Sequence, residues 1–398
     1  MEGALRVAAS RKRIAILGST GSIGRSAIEV ARAHPDRFEI VGLSAFRNVD
    51  LLASQARETG ARRVVVGEGR ADAGTFPAGV AVESGVGALE DLASDPEVDL
   101  VVNAIVGAAG LRPTVASVSA GKRLALANKE SLVAAGEIVT ALARERGAEI
   151  VPVDSEHSSL SRCLRRVSPD AVAGLVLTAS GGPLRDLPPE AAADAGVERV
   201  LDHPTWDMGE KVTVDSATLV NKAMEVIEAR WLFGLPFDRI EVVVHRESIV
   251  HSLVRLTDGT LLAHLGAPDM RVPIQYAMFY PDAPDRAFEL FDLASVGALN
   301  FAEVDRTRYP CFDLVLEAGR HGGTAPAVAA TADEVAVDAF VGGRIRFGDI
   351  ALIIASALDA VPRAEAVTIG DVLAAEERAR AEANAAVARI EGSSAGSD

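Results

Sequence analysis

Asp154 and Glu156 stand two residues apart, straight after the apolar run Glu149–Val153. Two carboxylates that close repel each other unless a proton or a cation sits between them. The other reading of Asp154-Ser155-Glu156-His157 is a helix-capping motif. A third carboxylate comes from the segment His203–Trp231, where Asn221, Lys222 and Glu225 fall within about one helical turn and share a face. Such a face could be a solvated surface with one i,i+3 ion pair. Leu219, Val220, Ala223, Met224 and Ile227 argue for a buried helix whose polar stripe looks into a cleft. Together, Asp154, Glu156 and Glu225 offer three hard oxygen ligands suited to Mg²⁺ or Mn²⁺, with positions left for water and substrate.

The same segment carries a second chemistry. Its helix is expected to start at Asp215 or Ser216, where free backbone N–H groups and the positive dipole end favour an anion. Asn221 and Lys222 add donors, so the stretch reads as a phosphate pocket beside a cation site. His203 to Gly209 is dense in Pro, Trp, Met and Gly, a mixture that suits an exposed loop closing over a ligand.

The elements that must position these groups begin with a β run at Arg13–Leu17, the turn GSTGSIG at Gly18–Gly24, and a helix over Ile23–Ala33. Strand, glycine turn, helix is the setting of a dinucleotide-binding fingerprint. The spacing is GxxGxxG instead of GxGxxG, and a tight turn without a ligand is the alternative. The second strand, Phe38–Ala45, ends in Phe46-Arg47-Asn48. An NAD enzyme places Asp or Glu here; Arg47 offers a cation for a 2′-phosphate, which favours NADP unless it is a surface arginine of no consequence. Strands at Arg63–Val66, Asp99–Ala104, Arg123–Ala127 and Glu149–Val153 alternate with helices and complete a doubly wound domain of about 150 residues. Asn103–Gly110 (NAIVGAAG) and Asn128-Lys129-Glu130 follow two of these strands, where a parallel sheet meets its ligand.

From Val172 the pattern turns α+β. Strand Leu175–Thr178 leads into Ser180-Gly181-Gly182-Pro183, whose N–H groups and Ser180 hydroxyl could hold another anionic oxygen. Arg239–His245 reads as a strand, and Ser248–Leu256 with Thr260–Leu265 as a hairpin able to extend a partner subunit's sheet. Beyond Tyr309 the chain reads as a helical bundle with no obvious chemistry. The closing EGSSAGSD is disordered by composition.

Composition narrows the function. The 398 residues are too many for one ordinary core. A net charge of −16 argues against nucleic acid or an anionic membrane as the main partner, so any phosphate must be caught by a local pocket. Cys163 and Cys311 lie far apart and fit no metal or redox spacing, which suits a reducing compartment. No apolar run reaches transmembrane length, and the opening residues do not read as a secretory signal, so a cytoplasmic protein is expected.

GSTGSIG, NAIVGAAG, ANKES, PVDSEH, TASGGP, HPTWDMG and VDSATLVNKAMEVIEA, in this order, resemble the 1-deoxy-D-xylulose 5-phosphate reductoisomerase family, over essentially Ile14–Ile390. The resemblance implies an NADPH-binding Rossmann-like domain at 1–154 and a catalytic and dimerisation α+β domain at 155–299 with a lid near 200–210. It further implies a helical bundle at 300–390, before a disordered tail at 391–398. It implies a homodimer that reduces and rearranges a phosphorylated sugar, with NADPH and a divalent cation. Asp154, Glu156 and Glu225 correspond to the metal ligands. Ser180, Ser216, Asn221 and Lys222 correspond to the phosphate pocket, and Lys129, Ser155 and His203 to contacts on the reacting portion. Trp206 corresponds to the lid tryptophan. Thr20, Gly21, Ser22, Ile23, Arg47, Asn48, Asn128, Glu130 and Gly209 match the family's NADPH contacts. Phe46 and Leu184 depart from the pattern, standing where glycine and phenylalanine are common. A different NADP-dependent dehydrogenase of the semialdehyde or homoserine type, with a catalytic cysteine or lysine and no metal triad, and a non-catalytic NADP sensor, are the competing readings.

Overall fold

The structure is a computed structural model that describes residues 11–69, 72–284, 288 and 290–394. Among the described residues the contacts sort into two compact units. One is drawn from Met1–Asn128, Ala141–Val153 and Met270–Phe288, the other from Lys129–Thr140, Asp154–Asp269 and Glu289–Asp398. The sequence expects three consecutive domains; here the central and C-terminal parts share one continuous apolar core.

The first unit is built on a parallel sheet of β1 (Lys12–Leu17), β2 (Phe38–Ala45), β3 (Arg63–Val66), β4 (Ala81–Ser84), β5 (Leu100–Asn103), β6 (Arg123–Leu126) and β7 (Glu149–Pro152). The strand order is β4-β3-β2-β1-β5-β6-β7. Runs such as Val64-Val65-Val66 are buried on both faces, the pattern expected when helices cover both sides of a parallel sheet. The cover comes from α1 (Ser22–Ala33), α2 (Val49–Thr59), α3 (Val86–Ser94) and α4 (Leu111–Ser119). Winding reverses between β1 and β5, which opens a crevice at their carboxyl ends.

The long helix α5 (Lys129–Arg146) begins in the second unit and ends in the first, with non-helical geometry at Ala135. In the second unit follow α6 (Ser155–Leu164), α7 (Pro189–Ala193), α8 (Val197–Leu201), α9 (Glu210–Thr218) and α10 (Val220–Phe233). Next comes α11 (Arg271–Phe279), which belongs to the first unit. There Lys12 Nζ donates to the carbonyls of Met278, Phe279 and Tyr280, each at 3.2 Å, placing a cation on the negative end of the helix. The second unit also holds a five-stranded sheet in the order β11-β10-β8-β9-β12. Its strands are β8 (Val172–Ala179), β9 (Ile240–Val244), β10 (Val250–Leu256), β11 (Leu261–Leu265) and β12 (Ala302–Glu303). Helices α12 (Pro310–His321), α13 (Ala325–Val341), α14 (Asp349–Ala360) and α15 (Ile369–Ser394) complete it. Thus α15 takes in Glu391–Ser394 from the stretch expected as a tail, and residues 395–398 lie outside the described residues.

One local expectation is corrected. No helix starts at Asp215 or Ser216; both lie inside α9, and the break comes at Leu219, which adopts φ 58°. The sequence there contains no Gly or Pro, so nothing local announces a left-handed residue costing about 1–2 kcal/mol. Leu219 is 2% exposed, so its side chain is buried in the core at the break. The positive helix end therefore falls on the first turn of α10, at Asn221 and Lys222, and Ser216 lies in the last turn of α9.

Candidate active site

In the second unit, three carboxylates from two segments are threaded together by two lysines. Asp154 stands at the N-cap position of α6 without a side-chain cap, Glu156 lies in its first turn, and Glu225 comes from α10. Lys129 Nζ, at the head of α5, lies 2.5 Å from Asp154 Oδ2 and 3.3 Å from Glu225 Oε1, and donates to Asn221 Oδ1 at 2.6 Å. Lys222 Nζ donates to Glu156 Oε1 at 2.7 Å and to Glu225 Oε2 at 2.6 Å. Asn221 donates to Glu225 Oε1 at 2.6 Å, so the expected shared face of α10 exists and points into this cluster. Ser155 closes the chain, donating to Glu156 Oε2 at 2.5 Å.

Burial sets the electrostatics. Glu225 is 1% exposed and Lys222 4%. Burial favours neutral Lys129, but Asp154, Glu225 and Glu228 outweigh it and hold the ammonium well above the ordinary lysine range. Burial also raises Asp154; Lys129, His157 and Lys222 reverse the effect and hold its carboxyl well below the usual range. Lys222 is raised in the same way, burial opposing and Glu156 and Glu225 prevailing. Glu225 is pushed up to about 7 by burial and Glu156, against the pull of Lys222 and Lys129.

A buried set in which carboxylates outnumber ammonium groups suits a hard divalent cation. Ligand atoms of Asp154, His157 and Glu225 lie within 4.8 Å of one another. Glu156 lies outside that group, because its carboxylate is turned to Lys222 and Ser155. His157 Nε2 is hydrogen-bonded to the Glu225 main-chain oxygen at 2.9 Å, and its Nδ1 lies 3.4 Å from Glu228 Oε2. It therefore braces α10. Neither His157 nor Glu228 was singled out from sequence, since a histidine beside a capping motif and an acid in a helix look structural.

A pocket adjoins the cluster, lined by Glu156, Ser180, Trp206, Ser216, Asn221 and Lys222 together with Thr178, Ser248 and His251. The four residues expected on a phosphate thus meet at one place. Ser180 Oγ accepts from Gly182 N at 3.1 Å and lies 3.0 Å from His203 Nε2. His203 Nδ1 accepts from the N–H groups of Thr205 and Trp206 at 3.1 and 3.0 Å. That nitrogen is therefore unprotonated, and the proton sits on Nε2, facing Ser180. Burial and then Arg185 lower the His203 pKa to about 4, consistent with a neutral ring. Ser248 and His251 were missed from sequence. Ser248 has φ 52°, an uncommon conformation for a residue with a side chain, and His251 sits on a strand that reads as a structural hairpin.

The first unit holds the glycine turn. Gly18 has φ +77°, and a Cβ there would come within 2.7 Å of the Ala104 oxygen; one at Gly24 would come within 2.3 Å of the Gly18 oxygen. Only glycine fits both positions. Gly21 is the N-cap of α1 and makes no side-chain cap, which leaves Thr20, Gly21, Ser22 and Ile23 around main-chain N–H groups at a helix start. Arg47 is exposed, paired with Glu68, and lies 4.8 Å over the Phe46 ring. Asn48 caps α2 by accepting from Leu51 N at 3.1 Å. Asn128 is buried and donates to Ile105 O and Gly107 O, both at 2.9 Å, fixing the turn after β5. Glu130 and Gly209 belong to the second unit.

Three family profiles match this chain. One described as 1-deoxy-D-xylulose 5-phosphate reductoisomerase matches residues 14–136. The corresponding C-terminal domain profile matches 150–233, and a DXP reductoisomerase C-terminal domain matches 265–382. A relative of that name from Cupriavidus necator is 48% identical over 390 residues, covering 95% of this chain and 98% of its own. One from Thermomicrobium roseum is 46% identical, covering 95% and 98%. Among solved structures, a DOX-P reductoisomerase in complex with NADPH, fosmidomycin and magnesium has a TM-score of 0.90 at 38% identity, covering 94% of this chain and 98% of that one. A Zymomonas mobilis enzyme in complex with NADPH has a TM-score of 0.86 at 36% identity, covering 95% and 99%.

Proposed function

The chain belongs to the 1-deoxy-D-xylulose 5-phosphate reductoisomerase family, and we propose that it converts 1-deoxy-D-xylulose 5-phosphate to 2-C-methyl-D-erythritol 4-phosphate in non-mevalonate isoprenoid precursor synthesis. It is an oxidoreductase that uses NADPH and a divalent cation. The observation that carries the reading is the meeting of Asp154, Glu156 and Glu225 with Lys129 and Lys222 beside a pocket bearing Ser180, Ser216 and Asn221.

When bound, NADPH supplies a hydride and the cation, Mg²⁺ or Mn²⁺, polarises substrate oxygens. Asp154, Glu156 and Glu225 would hold the cation. Lys129, kept charged by Asp154 and Glu225, orients the reacting oxygens together with Ser155. Ser180, Ser216, Asn221 and Lys222 bind the phosphate; the Ser180 hydroxyl proton is available because its oxygen already accepts from Gly182. His203 and Trp206 close over the substrate and exclude water. Thr20, Gly21, Ser22 and Ile23 cradle the dinucleotide phosphates, with Asn48, Asn128, Glu130 and Gly209 completing the cofactor contacts. Arg47 exchanges Glu68 for the 2′-phosphate.

The functional division follows the same reading, with cofactor domain 1–154, catalytic domain 155–299 and bundle 300–390. A homodimer is supported by the edge strand β11, where Leu261 and Leu262 are exposed, and by exposed Leu290, Leu293 and Phe301. Among the described residues no helix is long and apolar enough to cross a membrane; a cytoplasmic location is part of the proposal. The cysteine form of the competing dehydrogenase is disfavoured, because burial raises the thiols of both Cys163 and Cys311 above their usual range.

The test is NADPH oxidation with 1-deoxy-D-xylulose 5-phosphate, with and without Mg²⁺ or Mn²⁺. Turnover that chelation abolishes and added metal restores is expected. No turnover, or turnover indifferent to chelation, would sink the reading.

A further inference from the structure

The helix that leaves the lid is gripped by a charge cluster outside the site described above. Lys211 Nζ, in the first turn of α9, lies 2.6 Å from Asp215 Oδ2 and 2.9 Å from Asp333 Oδ2. Asp333 sits on α13, in the bundle where the sequence offers no chemistry. Both carboxylates are buried, with side chains 5% and 0% exposed. The second oxygen of each, Oδ1, is buried without a hydrogen-bond partner among the described residues. Next to Asp215 in the helix, Ser216 lines the phosphate pocket. Against it lies Gly182, where a Cβ would come within 2.5 Å of the Ser216 carbonyl oxygen. The helix therefore has little room to roll.

We propose that Asp333 is a positioning residue for the substrate's phosphate end: with Asp215 it clamps Lys211, and the clamp fixes the roll of α9 that sets Ser216 in the pocket. The proposal rests on the reading of that pocket given above.

Charge determines how the clamp holds. Two carboxylates face one ammonium, and the neighbours do not restore the balance. Glu130, at the head of α5, adds negative charge, and Cys311 on α12 is a thiol kept neutral by burial. Arg199, near α9 on α8, faces Asp202 instead, and Lys222 on α10 faces Glu156 and Glu225. Keeping a proton costs less than burying an unpaired carboxylate. Burial and Asp333 accordingly hold the Asp215 carboxyl well above its ordinary range, against Lys211. A carboxyl raised in the folded state binds its proton more tightly folded than unfolded. Its contribution is complete below the unfolded pKa of about 4 and is lost as pH rises through the folded value.

Two variants of the full chain test this. Asp333→Asn keeps a polar partner for Lys211 and leaves it a one-to-one pair with Asp215, so its melting temperature should change less between pH 4 and 9 than that of the native protein. Its KM for the sugar phosphate should stay within about twofold of native. Asp333→Leu keeps the branched outline of the side chain but removes the partner; it should raise that KM about tenfold while kcat and NADPH affinity hold. Superimposable melting curves for native and Asp333→Asn across that pH range would overturn the proton kept on Asp215. A lowered melting temperature with unchanged KM in Asp333→Leu would reduce Asp333 to a structural residue. Should Asp333→Leu not fold, Asp333→Ser takes its place with the same criteria. Failure of the native enzyme to turn over sugar phosphate would instead count against the function, while the melting curves still decide the clamp.

Discussion

The glycine turn of the first unit and the charged cluster of the second are built by opposite routes. At the turn the groups on offer are main-chain N–H groups at the start of α1, held by close backbone packing around Gly18 and Gly24. In the cluster they are side chains, buried or largely buried, drawn from α5, α10 and the start of α6 and held by ion pairs. A backbone site is specified by a few consecutive residues and tolerates change wherever a side chain points outward. A buried ionic site is specified by a charge balance, so removing one member leaves the others unpaired.

The largest effects should therefore come from single charges in the second unit. Glu225→Gln removes one negative charge where two lysines converge, and should lower kcat about 10²- to 10³-fold, with weaker Mn²⁺ binding and partial recovery at high Mn²⁺. Lys222→Ala should raise KM about 10- to 150-fold through loss of a charge-assisted phosphate contact. Because Lys222 also joins Glu156 to Glu225, its removal should in addition weaken metal binding. Titrating Mn²⁺ into both variants checks this; NADPH affinity should survive in each, and its loss would break the contrast between the units.

Next comes the turn. Gly24→Ala inserts a methyl group against the Gly18 oxygen and Ser19 backbone, and overpacking of this kind costs about 1–3 kcal/mol. It should weaken NADPH while Mn²⁺ affinity is retained. Gly21→Ala, whose Cβ would meet nothing closer than 3.5 Å, should be mild. Equal damage from both substitutions would mean that the turn does not work through its backbone geometry.

A smaller and more selective effect is expected at Arg47. Its pair with Glu68 is exposed and worth little, so Arg47→Asp should leave folding intact. It should weaken NADPH far more than NADH in steady-state comparison. An equal loss for both cofactors would show that Arg47 does not read the 2′-phosphate.

The smallest effect concerns pH at the 203–209 segment. Burial lowers the His203 pKa to about 4, below the unfolded value of about 6.5. The folded segment thus binds fewer protons than the open chain across that window. Its stabilisation is present above about 6.5 and is lost as pH falls toward 4. Cleavage of the 203–209 segment by an acid-tolerant protease, corrected for the protease's own pH profile, should rise from pH 7 to 5. The rise should be absent in His203→Gln.

Periodicity and motif order made most of the fold legible. Strands β2 and β3 fall where the sequence places them, Phe38–Ala45 and Arg63–Val66. The grouping of Asn221, Lys222 and Glu225 on one face follows from helical spacing alone, and the three are in contact. Such features depend on neighbours within a few residues, and a chain carries that information locally. Other features do not. Leu219 breaks the expected helix because its side chain is buried in the core where the chain takes a conformation nothing local favours, and this moves the positive helix end from Ser216 to Asn221 and Lys222.

Long-range partnerships are the remainder. Nothing near Lys222 tells that its ammonium lies on Glu156, 66 residues away in the chain. Nor does anything near Lys211 point to Asp333, 122 residues on, or the hairpin sequence reveal that His251 lines the pocket beside the carboxylate cluster. The sequence by itself determined the elements, the glycine turn and the residue types of the site. Only the tertiary structure decided which charges face one another, because a buried ion's partner is whichever group packing brings within about 4 Å, whatever their separation along the chain.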